Sequence, residues 1–354
     1  MIVTRTPFRV TLGGGGTDLP SFYREHGGFI FAMGIDKYMY IMLNPPTVDS
    51  KIRLHYSRSE VVDHVDELQH ELAREALRLH GIENRMEVSS MADLPDGTGL
   101  GSSSSYLVGL LAALHQHRRA LVPLQTLAEE ACHIELDVLG KPIGKQDQYM
   151  AAYGGLTVLD IDRDGTVAVR GVGSSVGSVS TFVANTHLYY TGTRRSAVDV
   201  LREQDSALRS SASAGGTAAR PSNGVTDAML RIRDLGHRIL EAVESEEYDV
   251  WGQLLHEHWC HKKQLSSRIS LDSVDALYER VRSEFGVLGG KIVGAGGGGF
   301  LMLYCPGDHR RLEQFMMEQG MPRLHYAVEH EGAKVVANLT SAPALRMPQR
   351  TRDR

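Results

Sequence analysis

Apolar residues crowd positions 1–12, which predicts a strand, and the four glycines at 13–16 end it, because bare backbone does not hold a strand interior. Residues 28–43, rich in aliphatic and aromatic side chains, read as strands, as do 51–57 and 85–90, with a helical period over 67–80. Leu107, Leu110, Leu111 and Leu114 recur at helical spacing, so a helix begins near the serines at 102–105. A second amphipathic helix covers 124–139, a polar turn 143–150, and 156–160 with 167–172 form a hairpin about Asp164-Gly165. Further on, 181–190 reads as a strand and 198–208 as a helix. Three helical stretches follow at 226–245, 248–265 and 270–284. Strands at 291–293 and 300–304 flank a glycine run, and 309–319 is helical. Strands and helices alternate irregularly, which favours an α+β fold.

The 354 residues suit two domains at about 150 residues each. The Gly/Ser/Val stretch at 173–180 divides them, giving 1–180 and 181–341. Ser, Ala and Gly at 210–223 predict a mobile surface loop, and 342–354 a loose basic tail. A net charge of −5 without a basic block excludes nucleic acid as main partner. No apolar run is long enough to span a membrane, and the first nine residues lack a signal-peptide core. Cys132, Cys260 and Cys305 are few and far apart, which places the chain in a reducing cytoplasm.

The stretch Leu94-Pro-Asp-Gly-Thr-Gly-Leu-Gly-Ser-Ser-Ser-Ser105 changes the picture. Gly97, Gly99 and Gly101 permit tight turns, and the helix start behind them offers unpaired N–H groups and partial positive charge, which suit phosphate. The same composition also suits a flexible loop before a capped core helix. It is no Walker loop, since the Gly-Lys pairs precede Pro142, Gln146 and Ile292. Two more glycine runs, at 13–16 and 294–299, suggest a polyanion held by backbone amides. The last matches Gly-x-Gly-x-x-Gly, but a strand rather than a helix follows it, which argues against a dinucleotide site.

Glu135 and Asp147 bracket the polar turn. A hydroxyl kinase needs one acid on Mg²⁺ and often another to take the hydroxyl proton; ordinary surface acids are the other reading. Asp18 is placed to cap a short segment at 21–26. His256, His258 and His261 share a helix, but Cys260 stands where a zinc-binding His-Glu-x-x-His would need histidine, so they read as polar or substrate-facing residues. Arg9, Lys262-Lys263 and Arg194-Arg195 are phosphate-clamp candidates, Arg9 foremost because its strand is otherwise apolar.

Together these motifs resemble the GHMP kinases. The segment from Pro95 to Ser104 is similar to their central ATP-binding motif, Arg9-Val-Thr-Leu-Gly-Gly-Gly-Gly-Thr-Asp18 to their first, and Ile292-Val-Gly-Ala-Gly-Gly-Gly-Gly299 to their third, in the family's order. The resemblance implies a two-domain α+β fold, with an N-terminal βαβ-rich domain and a ferredoxin-like C-terminal domain around one active site. It implies ATP bound by Pro95, Gly97, Gly99, Leu100, Gly101, Ser102, Ser103 and Ser104, and Mg²⁺ on Ser103 and Glu135. Asp147 would be the catalytic aspartate, with Arg9 steadying charge at the acceptor hydroxyl. Acceptor contacts would come from Gly15, Gly16, Thr17, Asp18, Thr191, Gly192, Arg195, Gly296, Gly297 and Gly298. Within the family, Thr6-Pro-Phe-Arg-Val, Ile35-Asp-Lys-Tyr38 and Gln146-Asp-Gln148 look most like kinases acting on the anomeric hydroxyl of a heptose 7-phosphate. Rival acceptors are an octose 8-phosphate or a free sugar of the fucose type. Galactokinases carry Glu-His where this chain has Gly15-Gly16; glycine there frees space for a longer, phosphate-ended acceptor. The implied partners are ATP and a sugar phosphate, and a homodimer is compatible with them.

Overall fold

β1 (Ile2–Gly13) and α1 (Pro20–His26) lead to β2 (Gly28–Asn44), and the two strands pair antiparallel along almost their whole length in the computed structural model. The structure describes residues 1–173, 175–193, 197–213, 224–266 and 268–339. Arg194, Arg195, the tail at 342–354 and most of the surface loop predicted at 210–223 lie outside them.

β2 is one long strand with two neighbours on its far side. β3 (Ile52–His55), β4 (Ser59–Val62), α2 (Glu71–Leu79) and β5 (Met86–Ala92) follow it, and the second half of β2 pairs with β5, which in turn lies parallel to β3. α3 (Ser102–His117) and α4 (Leu124–Cys132) come next, then a π-helical turn His133–Val138 and α5 (Gln146–Tyr153). The hairpin of β6 (Leu156–Ile161) and β7 (Val167–Gly171) then joins the first half of β2.

α3 is buried from Ser104 through Leu114 and lies across β1 and β2. Gly109 explains how closely. Its missing Cβ would sit 2.7 Å from Thr6 Oγ1, and Thr4 Oγ1 donates 2.8 Å to the Gly109 carbonyl. A helical glycine costs about 1 kcal/mol relative to alanine, which this close packing offsets.

The chain leaves the first sheet through α6 (Val176–Asn185) and enters β8 (Thr186–Tyr190), α7 (Ala197–Ser213), α8 (Gly224–Glu244), α9 (Tyr248–Lys262) and α10 (Asp272–Phe285). β9 (Gly289–Ile292), β10 (Phe300–Tyr304), α11 (His309–Glu318) and β11 (Arg323–Leu324) complete an antiparallel sheet of order β11-β8-β10-β9. A strand, helices, two strands, a helix and a strand in that order make a ferredoxin-like layer. β12 (Lys334–Asn338) then returns to pair with β1, so the first sheet takes its edge strand from the C-terminal part of the chain.

Three expectations need correction. The strand predicted over 181–190 is helical up to Asn185, because Ser175 accepts from the Ser178 N–H at 3.1 Å to cap α6, and Phe182 packs on Trp251. The division at residue 180 therefore falls inside a helix. The polar turn at 143–150 ends in α5, which puts Asp147 in a helix's first turn. Asp18 does not cap α1, whose N-cap is Leu19 ahead of Pro20.

Candidate active site

Arg9 and Asp147 meet at the bottom of a cleft of about 350 Å³. Arg9 is a buried side chain of β1, brought against α5 by the packing of that helix on the sheet. Its Nε donates to Asp147 Oδ1 at 2.7 Å, its Nη2 lies 2.6 Å from the same oxygen, and its Nη1 donates to the Gly99 carbonyl at 2.6 Å. One guanidinium thus fixes an acid and the glycine loop together. Both contacts fall on Oδ1, which leaves Oδ2 outside the ion pair.

The loop itself is built from positive-φ glycines, Gly97 (71°), Gly99 (78°) and Gly101 (82°), a backbone region costly for other residues. Gly101 is the N-cap of α3. The first turn of α3 leaves its N–H groups without helical partners and concentrates positive charge, which suits the backbone of Ser102, Ser103 and Ser104 to an anion. The third glycine run supports this loop from outside. A Cβ on Gly294 would lie 2.5 Å from the Gly99 carbonyl, and one on Gly299 2.2 Å from that of Thr98.

Beside the cradle, Glu135 is wholly buried in the π-helical turn. Its Oε2 accepts from Ser104 Oγ and from Gln148 Nε2, each at 2.7 Å, and Lys141 Nζ stands 3.6 Å from Oε1. Oε1 is buried without a hydrogen-bond partner among the described residues. Burial raises the Glu135 pKa above its ordinary value, opposed by Lys141 and by the two hydrogen bonds. A buried carboxylate oxygen beside a serine hydroxyl is a hard-oxygen set suited to Mg²⁺.

On the other wall, Asp18 caps α5 instead of α1. Its Oδ2 accepts the Gln146 N–H at 2.9 Å, and Gln146 Oε1 takes the Thr11 hydroxyl at 2.7 Å. Burial pushes Asp18 up to about 6, opposed by the Gln146 N–H and reinforced by Asp147. Lys262, at the end of α9, reaches the same cleft and donates to the Gly294 carbonyl. Burial and then Arg9 lower it to about 8, against Asp18. Behind it lies Lys291, whose ammonium donates to the Leu12 carbonyl at 3.2 Å and is held well below its ordinary value by burial, Lys262 and Arg9.

The cleft brings together Arg9, Gly15, Gly16, Asp18, Gly97, Gly99, Gly101, Ser102, Ser103, Ser104, Glu135 and Asp147. Other expected residues lie elsewhere. Thr17 is buried, donating to the Gly14 and Phe29 carbonyls. Leu100 is buried and accepts the Arg9 N–H at 3.2 Å, and Pro95 is not in the lining. Of the third glycine run only Gly294 and Ala295 face the cleft. Gly297 and Gly299 spend their N–H groups on the Ile269 and Thr193 carbonyls, and Gly296 and Gly298 pack on the same two residues. Thr191 and Gly192 are likewise outside the lining, Thr191 being bonded to Gly299. Ser104 touches Glu135, whereas Ser103 is exposed. Lys141, Gly144 and Gln204 line the cleft without having been singled out; only the clustering of Gly144 and Gln146 around Asp147 hinted at one of them. The helix histidines diverge. His256 meets Tyr278 and Cys260, while His258 is buried towards Lys291 and Lys262.

A phosphate cradle, a buried acid beside a serine, and an arginine-held aspartate define a phosphotransferase site. Residues 62–155 match the family described as GHMP kinases N terminal domain, and residues 239–320 match GHMP kinases C terminal. The chain thus carries both GHMP kinase domains and is an ATP-dependent kinase. It is similar to a D-glycero-alpha-D-manno-heptose 7-phosphate kinase of Campylobacter jejuni, 26% identical over 94% of this chain and 98% of that one. It also resembles a mevalonate kinase of Methanothermobacter thermautotrophicus, 28% identical over 65% and 68%. Among solved structures, a D-glycero-D-manno-heptose 1-phosphate kinase from Bacteriodes thetaiotaomicron aligns with TM-score 0.76 at 20% identity, over 96% of this chain and all of that one. A Lactococcus lactis galactokinase aligns with TM-score 0.72 at 17% identity, over 94% of both. No helix among the described residues is long and apolar enough to cross a membrane.

Proposed function

We propose that the enzyme transfers the terminal phosphoryl group of ATP to the anomeric hydroxyl of D-glycero-D-manno-heptose 7-phosphate, giving the 1,7-bisphosphate. The observation that carries this reading is the Arg9–Asp147 pair, set between the phosphate cradle and a wall of Gly15, Gly16, Asp18 and Lys262. Likeness to the Campylobacter jejuni heptose phosphate kinase along nearly the whole chain supports the acceptor.

In this reading the N–H groups at the start of α3 hold the ATP phosphates. Glu135 and Ser104, with Ser103 nearby, would hold Mg²⁺, and Glu135 Oε1, which faces Lys141 at 3.6 Å but accepts no hydrogen bond among the described residues, is the atom that fits it. The ion supplies charge neutralisation across the phosphates. Asp18 accepts a sugar hydroxyl and fixes the ring. Asp147 Oδ2 takes the proton of the anomeric hydroxyl as its oxygen attacks, and Arg9 holds that carboxylate in place while steadying negative charge on the phosphoryl oxygens. Most of the acceleration is positioning and electrostatics, with no covalent enzyme intermediate. At the acceptor's far end, Lys262 and the Gly15-Gly16 backbone receive the second phosphate. Three free thiols, two of them buried, fit a cytoplasmic enzyme.

The test is ATP consumption across hexose, heptose and octose phosphates and free sugars, with phosphorus NMR of the product. A heptose 7-phosphate should give the highest kcat/KM and a new anomeric phosphate signal. Equal or better turnover of free galactose or fucose would overturn the acceptor assignment, and a best octose phosphate would replace it.

A further inference from the structure

A second group of chemistry-bearing side chains lies at the opposite end of α3 from the phosphate cradle. His80 follows α2, His115 stands in the last turn of α3, and Glu130 in α4. One donor atom from each lies within 4.8 Å of the other two. His115 Nε2 and Glu130 Oε2 are 2.7 Å apart, and the His80 and His115 rings meet edge to face with centroids 4.6 Å apart. His80 is only 7% exposed, yet neither of its ring nitrogens has a hydrogen-bond partner among the described residues. Buried polar atoms are rarely left so, and each needs a reason. A neutral imidazole keeps a lone pair on one ring nitrogen, which a metal ion takes as readily as a hydrogen-bond donor does.

We propose that His80, His115 and Glu130 bind a divalent transition metal of the zinc class, with water in the fourth position. Two imidazoles and one carboxylate suit zinc or cobalt, whereas Mg²⁺ prefers an all-oxygen shell. Ligands of a tetrahedral zinc ion lie about 3.4 Å apart, so no pair of donors, all within 4.8 Å of one another, has to close by more than roughly 1.4 Å, while the His115–Glu130 pair opens from 2.7 Å by roughly 0.7 Å, both within reach of side-chain torsions. Binding moves the His115 proton to Nδ1, freeing Nε2 for the metal. Glu130 supplies the negative charge that offsets Arg118, and its partial exposure opens a path for the ion. The 16 residues of α3 span about 24 Å, so this ion takes no part in phosphoryl transfer. It joins α2, α3 and α4 and pins the far end of the helix whose first turn holds phosphate.

The test uses full-length protein stripped with EDTA and titrated with Co²⁺ alone, without nucleotide. One equivalent should give the visible absorption of a four-coordinate nitrogen–oxygen set, displaced by Zn²⁺, and Zn²⁺ should raise the melting temperature. His80→Gln and Glu130→Gln should each abolish both responses while keeping kinase turnover, and Glu135→Gln should leave both intact. X-ray absorption at the zinc edge of the unsubstituted protein, which needs no variant to fold, should show two imidazole ligands. No visible band, a band that survives both substitutions, or fewer than two imidazoles at zinc would overturn the site.

Discussion

Gly144 and Asp18 occupy almost the same space: a Cβ on Gly144 would lie 1.9 Å from Asp18 Oδ2 and 2.2 Å from its Cγ. Glycine at 144 is what lets the Asp18 carboxylate reach the Gln146 N–H. Gly144→Ala should therefore push Asp18 out of the cleft without touching the phosphate cradle. Acceptor KM should rise about 10-fold or more, the loss of one charge-assisted hydrogen bond, while ATP affinity stays within about 2-fold. Steady-state kinetics with each substrate varied separately read the split; equal changes in both would mean that α5 as a whole had moved.

Asp18 makes a pH prediction with an unusual sign. Its carboxyl is raised by burial to about 6, so the folded state holds its proton more tightly than the unfolded chain does. That stability is complete below the ordinary carboxylate range and is lost as pH rises through about 6. At pH 8 the buried charge lowers stability by about 3 kcal/mol relative to a neutral isostere. Asp18→Asn should melt several degrees higher at pH 8, with little difference near pH 4. The same substitution should cost acceptor binding, and the acid limb of kcat/KM near pH 6 should vanish with it. A melting temperature lowered at pH 8 would refute the buried-charge account.

Much of this site was legible because its parts are contiguous. The glycine–serine run, Arg9 just ahead of the four glycines and the Asp147 segment each announce themselves within a dozen residues, and hydrophobic period placed α3, α8, α9 and β10. What escaped depends on distant packing. Ser104 rather than Ser103 faces Glu135 because helix phase and the π-helical turn decide which serine points inward. Lys262 reads as one of two adjacent surface lysines until α9 is seen to carry one towards Gly294 and the other towards Asp275. The third glycine run looks like a ligand loop but packs backbone on backbone. The first half of α6 reads as a domain boundary and its second half as a strand, because its capping serine and its Trp251 contact leave little trace in the local pattern. His80, His115 and Glu130 gave no motif at all, since three helices bring them together.

Asp147→Asn keeps the volume and the hydrogen bond from Arg9 but loses the proton acceptor. Turnover should fall by about 10²-fold or more, with ATP binding nearly unchanged. Equilibrium nucleotide titration beside single-turnover rates distinguishes the two. An active Asn variant would remove Asp147 from the role of base.

Lys262 tests whether the acceptor carries a second phosphate. Its ammonium is buried in the cleft wall, its hydrogen-bond acceptor is a backbone carbonyl, and Arg9 and Lys291 add positive charge nearby. An anion is the chemical complement of such a corner, and Asp18 on the same side marks it as the acceptor's end. Lys262→Met keeps an unbranched side chain one atom shorter and removes the charge. KM for a phosphorylated acceptor should rise about 10- to 100-fold, the range for a hydrogen bond to a charged group, while KM for ATP stays unchanged. Because the lysine is held near 8, wild-type affinity for that acceptor should weaken as pH rises above 8, and the variant should lose this dependence. The substitution should not lower the melting temperature at pH 7, since it removes a buried charge that depresses stability there. If ATP affinity fell instead, with the acceptor KM unmoved, Lys262 would belong to the nucleotide, and the second phosphate would have to rest on the Gly15-Gly16 backbone alone.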